Sequence, residues 1–295
     1  MACSFSGLLL PVSAQSFEKA VISSKGTVYQ SLPFFSKTVN TNLNYSIYLP
    51  PGYFTTSDSF PVFYLLHGLG GDENSWIKDF FIHRITDSLI SIHNLPPLII
   101  VMPDGRRSYF INDYQKRFPY ETIFIYELIP FIDSLYRTKN SEGSKAIGGL
   151  SMGGFGALTL SMRYPDVFST AIALSAAVRT DSMIINEKPE KYNQMFMSVF
   201  GDSIRQYRLL TRHWMENNPL YLTVRQPHTL KKVRWYIDCG LHDYLLPGNE
   251  ALHRLFVYYH IPHEFHVRPG NHDRSYWKSS LVPALIYTGG NFNEE

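Results

Sequence analysis

The sequence predicts an α/β protein built on a mainly parallel, doubly wound sheet, opened by an antiparallel hairpin. Two observations carry this. Short, continuous apolar runs at 61–66 and 98–102 have the character of strands covered on both faces. Such runs alternate with segments of helical spacing along most of the chain, the pattern of parallel strands joined by crossover helices. The front is different: 27–35 and 42–49 alternate polar and apolar, as expected of a hairpin with one solvated face.

The elements follow in order. Pro50-Pro51-Gly52-Tyr53 ends the hairpin, and a polar loop covers 55–59. The apolar run 61–66 leads into His67-Gly68-Leu69-Gly70-Gly71, and 76–92 has helical spacing. The strand 98–102 ends at Pro103-Asp104-Gly105. A helix is expected over 121–136, with Ile125, Leu128, Ile129 and Ile132 on one side and Pro130 kinking it. The strand 144–148 precedes a small-residue helix at 152–163, stopped by Tyr164-Pro165, and 169–174 is the next strand. From 180 to about 223 the chain is charged and aromatic without a buried strand. It reads as a small helical insertion over the C-terminal edge of the sheet, a lid or pocket wall, with one helix at 209–216. The strand 233–238, the helix 249–260, the strand 263–267 and a closing helix 276–287 complete the pattern. No repeat or linker divides it, so 15–295 reads as one domain.

Composition excludes several classes. With 44% hydrophobic and 18% charged residues, the 295-residue chain is that of a protein with a sizeable core. A net charge of +2 with no basic block argues against nucleic acid as a partner. No apolar run is long enough to span a bilayer. Aromatic residues make up 15%, which core packing explains first and an aromatic cleft for sugars or phenolic groups explains second. The segment Phe5-Ser6-Gly7-Leu8-Leu9-Leu10 is apolar, and small residues at 12–14 fit a cleavage site after Ala14. No lysine or arginine precedes it, so 1–14 reads as a truncated signal peptide of an exported protein, with a frayed terminus as the alternative. Of the two cysteines, Cys3 falls in that leader, so neither a disulfide nor a metal site with Cys239 is expected. No HExxH, P-loop or GxGxxG is present, and no cofactor is expected.

The chemistry centres on Gly149-Leu150-Ser151-Met152-Gly153, which fits G-x-S-x-G, a strand-to-helix turn that lifts a serine hydroxyl above a sheet. A serine needs a histidine to take its proton and a carboxylate to hold that histidine. In the α/β-hydrolase arrangement these arrive in the order serine, acid, histidine, each on a loop after a strand. Asp238-Cys239-Gly240-Leu241-His242-Asp243 offers two acids. Asp243 lies out on the loop and is taken as the acid, leaving Asp238 a loop-bracing role. His272, on the glycine loop beyond the last strand, is taken as the base over its rival His242. His260, His263 and His266 read as structural. The N–H groups of Met152 and Leu69 are the expected oxyanion donors, with His67 bracing the loop and Asp72-Glu73 a solvated turn.

With these residues in hand, the chain resembles the Putative esterase (esterase D-like) family of α/β-hydrolases, which includes tributyrin-type, feruloyl and acetylxylan esterases, S-formylglutathione hydrolases and mycolyltransferases. The matching pieces are residues 64–71 with Trp76, Val101-Met102-Pro103-Asp104-Gly105, residues 149–158 with Arg163-Tyr164-Pro165-Asp166, Asp238-Cys239-Gly240 with Asp243, and Gly270-Asn271-His272-Asp273 with Tyr276-Trp277. The resemblance implies Ser151, Asp243 and His272 as a catalytic triad and Leu69 and Met152 as the oxyanion hole. It implies a serine carboxylesterase acting on small-molecule or polysaccharide-linked esters. The alternatives are an acyltransferase, a thioesterase like the S-formylglutathione hydrolases, and a non-catalytic carbohydrate-binding relative. Arg274, where many relatives carry tryptophan, and the 180–223 insertion depart from the pattern and leave acyl and alcohol groups open.

Overall fold

The computed structural model describes Ala20–Ile22, residues 26–208 and residues 210–292. The leader read at 1–14 and Cys3 lie outside the described residues. Among the described residues nine strands form one sheet: β1 (Ala20–Ile22), β2 (Thr27–Ser36), β3 (Thr41–Leu49), β4 (Val62–Leu66), β5 (Ile99–Pro103), β6 (Lys145–Leu150), β7 (Thr170–Leu174), β8 (Arg234–Gly240) and β9 (His263–Arg268). Their order is β1-β2-β3-β5-β4-β6-β7-β8-β9. The first three strands and the β3–β5 pairing are antiparallel, and from β5 to β9 every pairing is parallel.

Every residue of β4, β5 and β7 is buried, because helices cover both faces of these strands. Alternate side chains feed two cores: Tyr64 and Leu66 pack with Phe124, Phe155 and Leu158, while Phe63 and Leu65 pack with Trp76, Leu89 and Leu281. One face is covered by α3 (Tyr120–Ile123), α4 (Ile129–Leu135) and α5 (Met152–Arg163), the other by α1 (Ser75–Lys78) and α2 (Ile82–Ser91). The chain steps outward from β4 to β5, then returns across β4 to β6. That reversal opens a crevice at the carboxyl ends of β4 and β6, the place where sheets of this kind hold their ligands.

The remaining helices are α6 (Asp181–Ile185), α7 (Pro189–Met195), α8 (Met197–Phe200), α9 (Ser203–Tyr207), α10 (Arg212–Asn217), α11 (Pro219–Arg225), α12 (Leu246–Tyr258) and α13 (Arg274–Gly290). Of these, α6 to α10 fill the charged, aromatic stretch, and their rings turn inward: Phe200 lies 5.0 Å from Trp214 and Phe196 5.6 Å from Tyr109.

Three expectations change. The single helix over 76–92 is broken between Lys78 and Ile82, with Phe81 in a left-handed conformation at φ 52°, ψ 38°. The helix expected over 121–136 forms but carries a widened turn just before Pro130. A π-helical segment, Phe124–Leu128, runs straight into α4, and the Ile129 N–H reaches back five residues to the Phe124 carbonyl. A proline offers no N–H to the turn before it, so widening that turn makes room for its ring. The helix expected from 209 starts instead at Arg212, where the Thr211 hydroxyl accepts the Trp214 N–H at 3.1 Å. Among the described residues no helix is long and apolar enough to cross a membrane.

Candidate active site

The elbow is built from close approach. Strand β6 ends at Leu150 and α5 begins at Met152, leaving Ser151 alone in the turn at φ 54°, ψ −112°. A non-glycine residue holds such a conformation only where its surroundings fix it, at a cost of about 1–3 kcal/mol. The fixing comes from β7 and the loop after it: the Ser151 N–H donates to the Leu174 carbonyl at 2.8 Å, and its carbonyl accepts the Ala177 N–H at 2.9 Å. Glycine is required on both sides of the serine. A Cβ at Gly149 would stand 2.6 Å from the Leu66 carbonyl oxygen, and one at Gly153 would overlap the same atom.

The histidine and its acid are brought together by a second close contact. The loops after β8 and β9 touch at Gly240, where a Cβ would stand 2.6 Å from the Gly270 carbonyl oxygen. The Leu241 N–H donates to Arg268 and the His242 N–H to Gly270, at 2.8 and 2.9 Å. Locked in this way, His272 Nδ1 lies 2.8 Å from Asp243 Oδ2, and His272 Nε2 lies 3.0 Å from Ser151 Oγ. With Nδ1–H given to the carboxylate, the Nε2 lone pair faces the serine hydroxyl. The second Asp243 oxygen accepts the Leu245 N–H at 2.8 Å. Burial alone would push the Asp243 carboxyl up, but the hydrogen bond and charge of His272, with the Leu245 N–H, hold it below its ordinary value. The imidazole is framed by Tyr244 and by the edge-on indole of Trp277, each 4.9 Å away.

The other candidates separate cleanly. The Asp238 carboxylate is fully buried and accepts from the Tyr276 hydroxyl, the Ser280 hydroxyl and Arg268, bracing α13 against the sheet. His242 is exposed. His67 is a brace: its Nδ1–H donates to the Gly68 carbonyl at 2.8 Å, and its Nε2 accepts the Gly105 N–H at 2.9 Å. The pair read as a solvated turn is only half so. Asp72 does make a turn, accepting the Asn74 N–H, but Glu73 is buried and accepts the Ser31 hydroxyl at 2.6 Å, tying this loop to β2. Cys239 is buried beneath the acid loop, and burial and then the nearby Asp243 charge push its thiol up, so it stays protonated. Among the described residues no cluster of three metal-ligating side chains occurs.

Ser151, His272 and Leu69 line one cavity of about 390 Å³, walled by Trp76, Phe80, Tyr244 and Trp277 and bordered by Met195 from α7. Leu69 sits in a turn closed by the Gly71 N–H on the Gly68 carbonyl, 3.0 Å. Among the described residues, neither the Leu69 nor the Met152 N–H donates to a protein acceptor, which leaves both available to a developing oxyanion. The cavity also holds an ion pair that sequence reasoning did not find, Arg274 to Asp79 at 3.2 Å. Tyr244 and Phe80 were likewise missed. Tyr244 follows the acid directly, and Phe80 lies within the break in the helix, so neither belongs to a spacing that marks chemistry.

Residues 36–288 match the family described as Putative esterase. The chain is 31% identical over 194 residues to an endo-1,4-beta-xylanase/feruloyl esterase of Xylanibacter ruminicola, covering 63% of this chain and 27% of that protein. It is 28% identical over 257 residues to an esterase of Mycobacterium tuberculosis, covering 81% of this chain and 54% of that one. It thus spans between about a quarter and a half of these two relatives. An acetyl esterase of Caldicellulosiruptor saccharolyticus is 27% identical over 236 residues, 78% of this chain and 83% of that protein. A solved ferulic acid esterase superposes with a TM-score of 0.77 at 27% identity, over 91% of this chain and 99% of that one. An S-formylglutathione hydrolase of Agrobacterium tumefaciens shares the fold at a TM-score of 0.73 and 17% identity, covering 94% of this chain and 99% of that one.

Proposed function

The chain belongs to the Putative esterase family, and from that premise we propose that it is a serine carboxylesterase releasing acetyl, short-chain acyl or feruloyl groups from carbohydrate. The observation that carries the reading is the unbroken pair of hydrogen bonds from Ser151 through His272 to Asp243, 3.0 and 2.8 Å long, inside the cavity.

In this mechanism His272 Nε2 takes the hydroxyl proton as Ser151 Oγ attacks the ester carbonyl. Asp243 keeps the ring in the tautomer that can accept that proton and stabilises the imidazolium that forms. The carbonyl oxygen, now negative, receives the N–H groups of Leu69 and Met152. Collapse of the tetrahedral intermediate expels the alcohol, which takes the proton back from His272. Water then repeats the sequence on the acyl-enzyme and releases the acid. The flat walls of Trp76, Phe80 and Trp277 suit a short or aromatic acyl group, in keeping with the acetyl and feruloyl esterases among the relatives.

Replacing Ser151 with alanine is expected to lower kcat on p-nitrophenyl acetate and methyl ferulate by roughly 10⁴-fold or more while leaving the melting temperature close to that of the parent. A fluorophosphonate probe should label the parent and not the variant. Hydrolysis by Ser151→Ala at the parental rate would overturn the assignment.

A further inference from the structure

The cavity opens onto a strip that the hydrolytic steps leave unused. One side of the strip is the joint between α1 and α2; the other is the first turns of α13, which begins two residues after His272. Arg274 and Lys278 are four residues apart and so share one face of α13. Both reach across to the joint: Arg274 Nη1 lies 3.2 Å from Asp79 Oδ1, and Lys278 Nζ lies 5.9 Å from the centre of the Phe81 ring. From the joint's own side, the Arg84 guanidinium stands 5.1 Å from the same ring. Asp79 and Arg274 also line the catalytic cavity, so strip and cavity are continuous.

Phe81 is the unusual residue of the strip, because it is both left-handed and exposed. It sits at φ 52°, in the left-handed region where a bulky aromatic residue is a true outlier. Burial does not account for it, because the residue is 44% exposed. A glycine or asparagine would make this joint without strain. The chain therefore holds a strained, outward-facing aromatic ring beside the mouth of the cavity, and such strain clusters where a ligand is met. Charge adds direction. Arg84, Arg274 and Lys278 border the strip against the single carboxylate of Asp79, which is paired with Arg274. The two other acids of these elements are turned to protein donors: Asp273 accepts the Tyr276 N–H as the cap of α13, and Asp87 accepts the Tyr48 hydroxyl.

We propose that this strip is the subsite for the alcohol side of the substrate and that it takes a glycan chain bearing carboxylates. A sugar ring stacks on Phe81, the carboxylate of a uronic acid residue meets Arg84 and Lys278, and the Asp79–Arg274 pair bonds hydroxyls next to the ester. The inference rests on the carbohydrate-ester reading above and narrows it: a neutral glycan has no use for the excess of cations, whereas an acidic one is drawn to them.

The test compares kcat/KM on acetylated xylo-oligosaccharides with and without a uronic acid branch, each relative to p-nitrophenyl acetate. The acidic oligosaccharide is expected to be the better substrate, and its advantage should shrink with added salt. Lys278→Glu and Arg84→Glu should each cut that advantage roughly fivefold. Phe81→Ala should lower both oligosaccharide ratios by a similar factor, and Phe81→Gly should do the same while raising the melting temperature, since it removes strain and ring together. If the parent cleaves p-nitrophenyl acetate yet does not prefer the acidic oligosaccharide, or if Lys278→Glu leaves the preference intact, the subsite is refuted and the esterase reading stands. If the parent cleaves no ester and Ser151 takes no probe, the esterase reading fails. Calorimetric binding of the deacetylated acidic oligosaccharide then decides the strip, whose assignment survives only if Lys278→Glu abolishes that binding.

Discussion

At the scale of single residues, the two acids of the β8 loop make opposite predictions. Asp243 touches His272 and the Leu245 N–H, so Asp243→Asn should lower kcat by about 10⁴-fold, because an amide at that position favours the wrong imidazole tautomer. Its carboxyl also titrates below the ordinary value of 3.8, so the folded state holds its proton more weakly than the unfolded state. The sign follows: the ionised carboxylate contributes stability above that value, and the contribution is lost as pH falls through the depressed one. Asp238→Asn should leave the chemistry in place and cost stability instead, about 3 kcal/mol, since Arg268 would lose its buried counter-charge. Kinetics and thermal melts of both variants check this, and a large kcat loss at Asp238 with a small one at Asp243 would reverse the roles. Ser151 was legible because glycines on both sides of a serine have a steric cause that survives without any fold. That Asp243 and not Asp238 meets His272 was legible from its distance beyond the strand end. Phe81, Tyr244 and the Arg274–Asp79 pair were not, because their meaning comes from which loops meet, and no local spacing encodes that.

At the scale of elements, the outer edge of the sheet carries a pH-sensitive tie. His253 of α12 and His263 of β9 lie 2.7 Å apart through Nδ1 and Nε2, and His263 gives its own Nδ1–H to the Ile261 carbonyl. A single N–H bridges the two rings. Burial first, then the charges of His263 and Arg254, lower the His253 pKa from 6.5. A lowered folded-state value means the unfolded chain binds the proton more tightly, so the pair supports β9 above pH 6.5 and loses that support as pH falls. Urea melts between about pH 7.5 and about pH 5 should show stability declining, and the decline should shrink in His253→Phe, which keeps the stack on Phe265 and removes the titration. An unchanged slope in the variant would refute the tie. Periodicity reveals some elements of this fold and misses others. The buried central strands could be read within a residue or two, because a short run that is apolar at every position suits a strand covered on both faces and little else. The break at Phe81 could not, since residues 76–92 keep helical spacing across it and nothing in the local sequence marks the interruption.

At the scale of the whole molecule, the sheet and the covering segment differ in what holds them. Strands β4, β6 and β7 are hydrogen-bonded on both sides and buried throughout their middles. The helices from α6 to α10 have 5, 7, 4, 5 and 6 residues, each too short to persist alone. What orders them is an aromatic cluster, Phe196, Phe200 and Trp214, packed on Tyr109 and Phe155. This also explains why the segment read as a helical insertion with only one helix placed: its helices are consequences of tertiary contact and carry no period of their own. Such a segment should open as a unit at a free energy below that of global unfolding. Amides of 181–217 are therefore expected to exchange by a sub-global route, losing protection at urea concentrations where β6 and β7 keep theirs. Because Met195 of α7 borders the cavity, an adduct on Ser151 that fills it should slow exchange in α7 more than in α4, which lends the cavity no residue. If instead 181–217 exchanges only with the sheet, and the adduct leaves α7 unchanged, the segment is part of the rigid core, and substrate must enter without its movement.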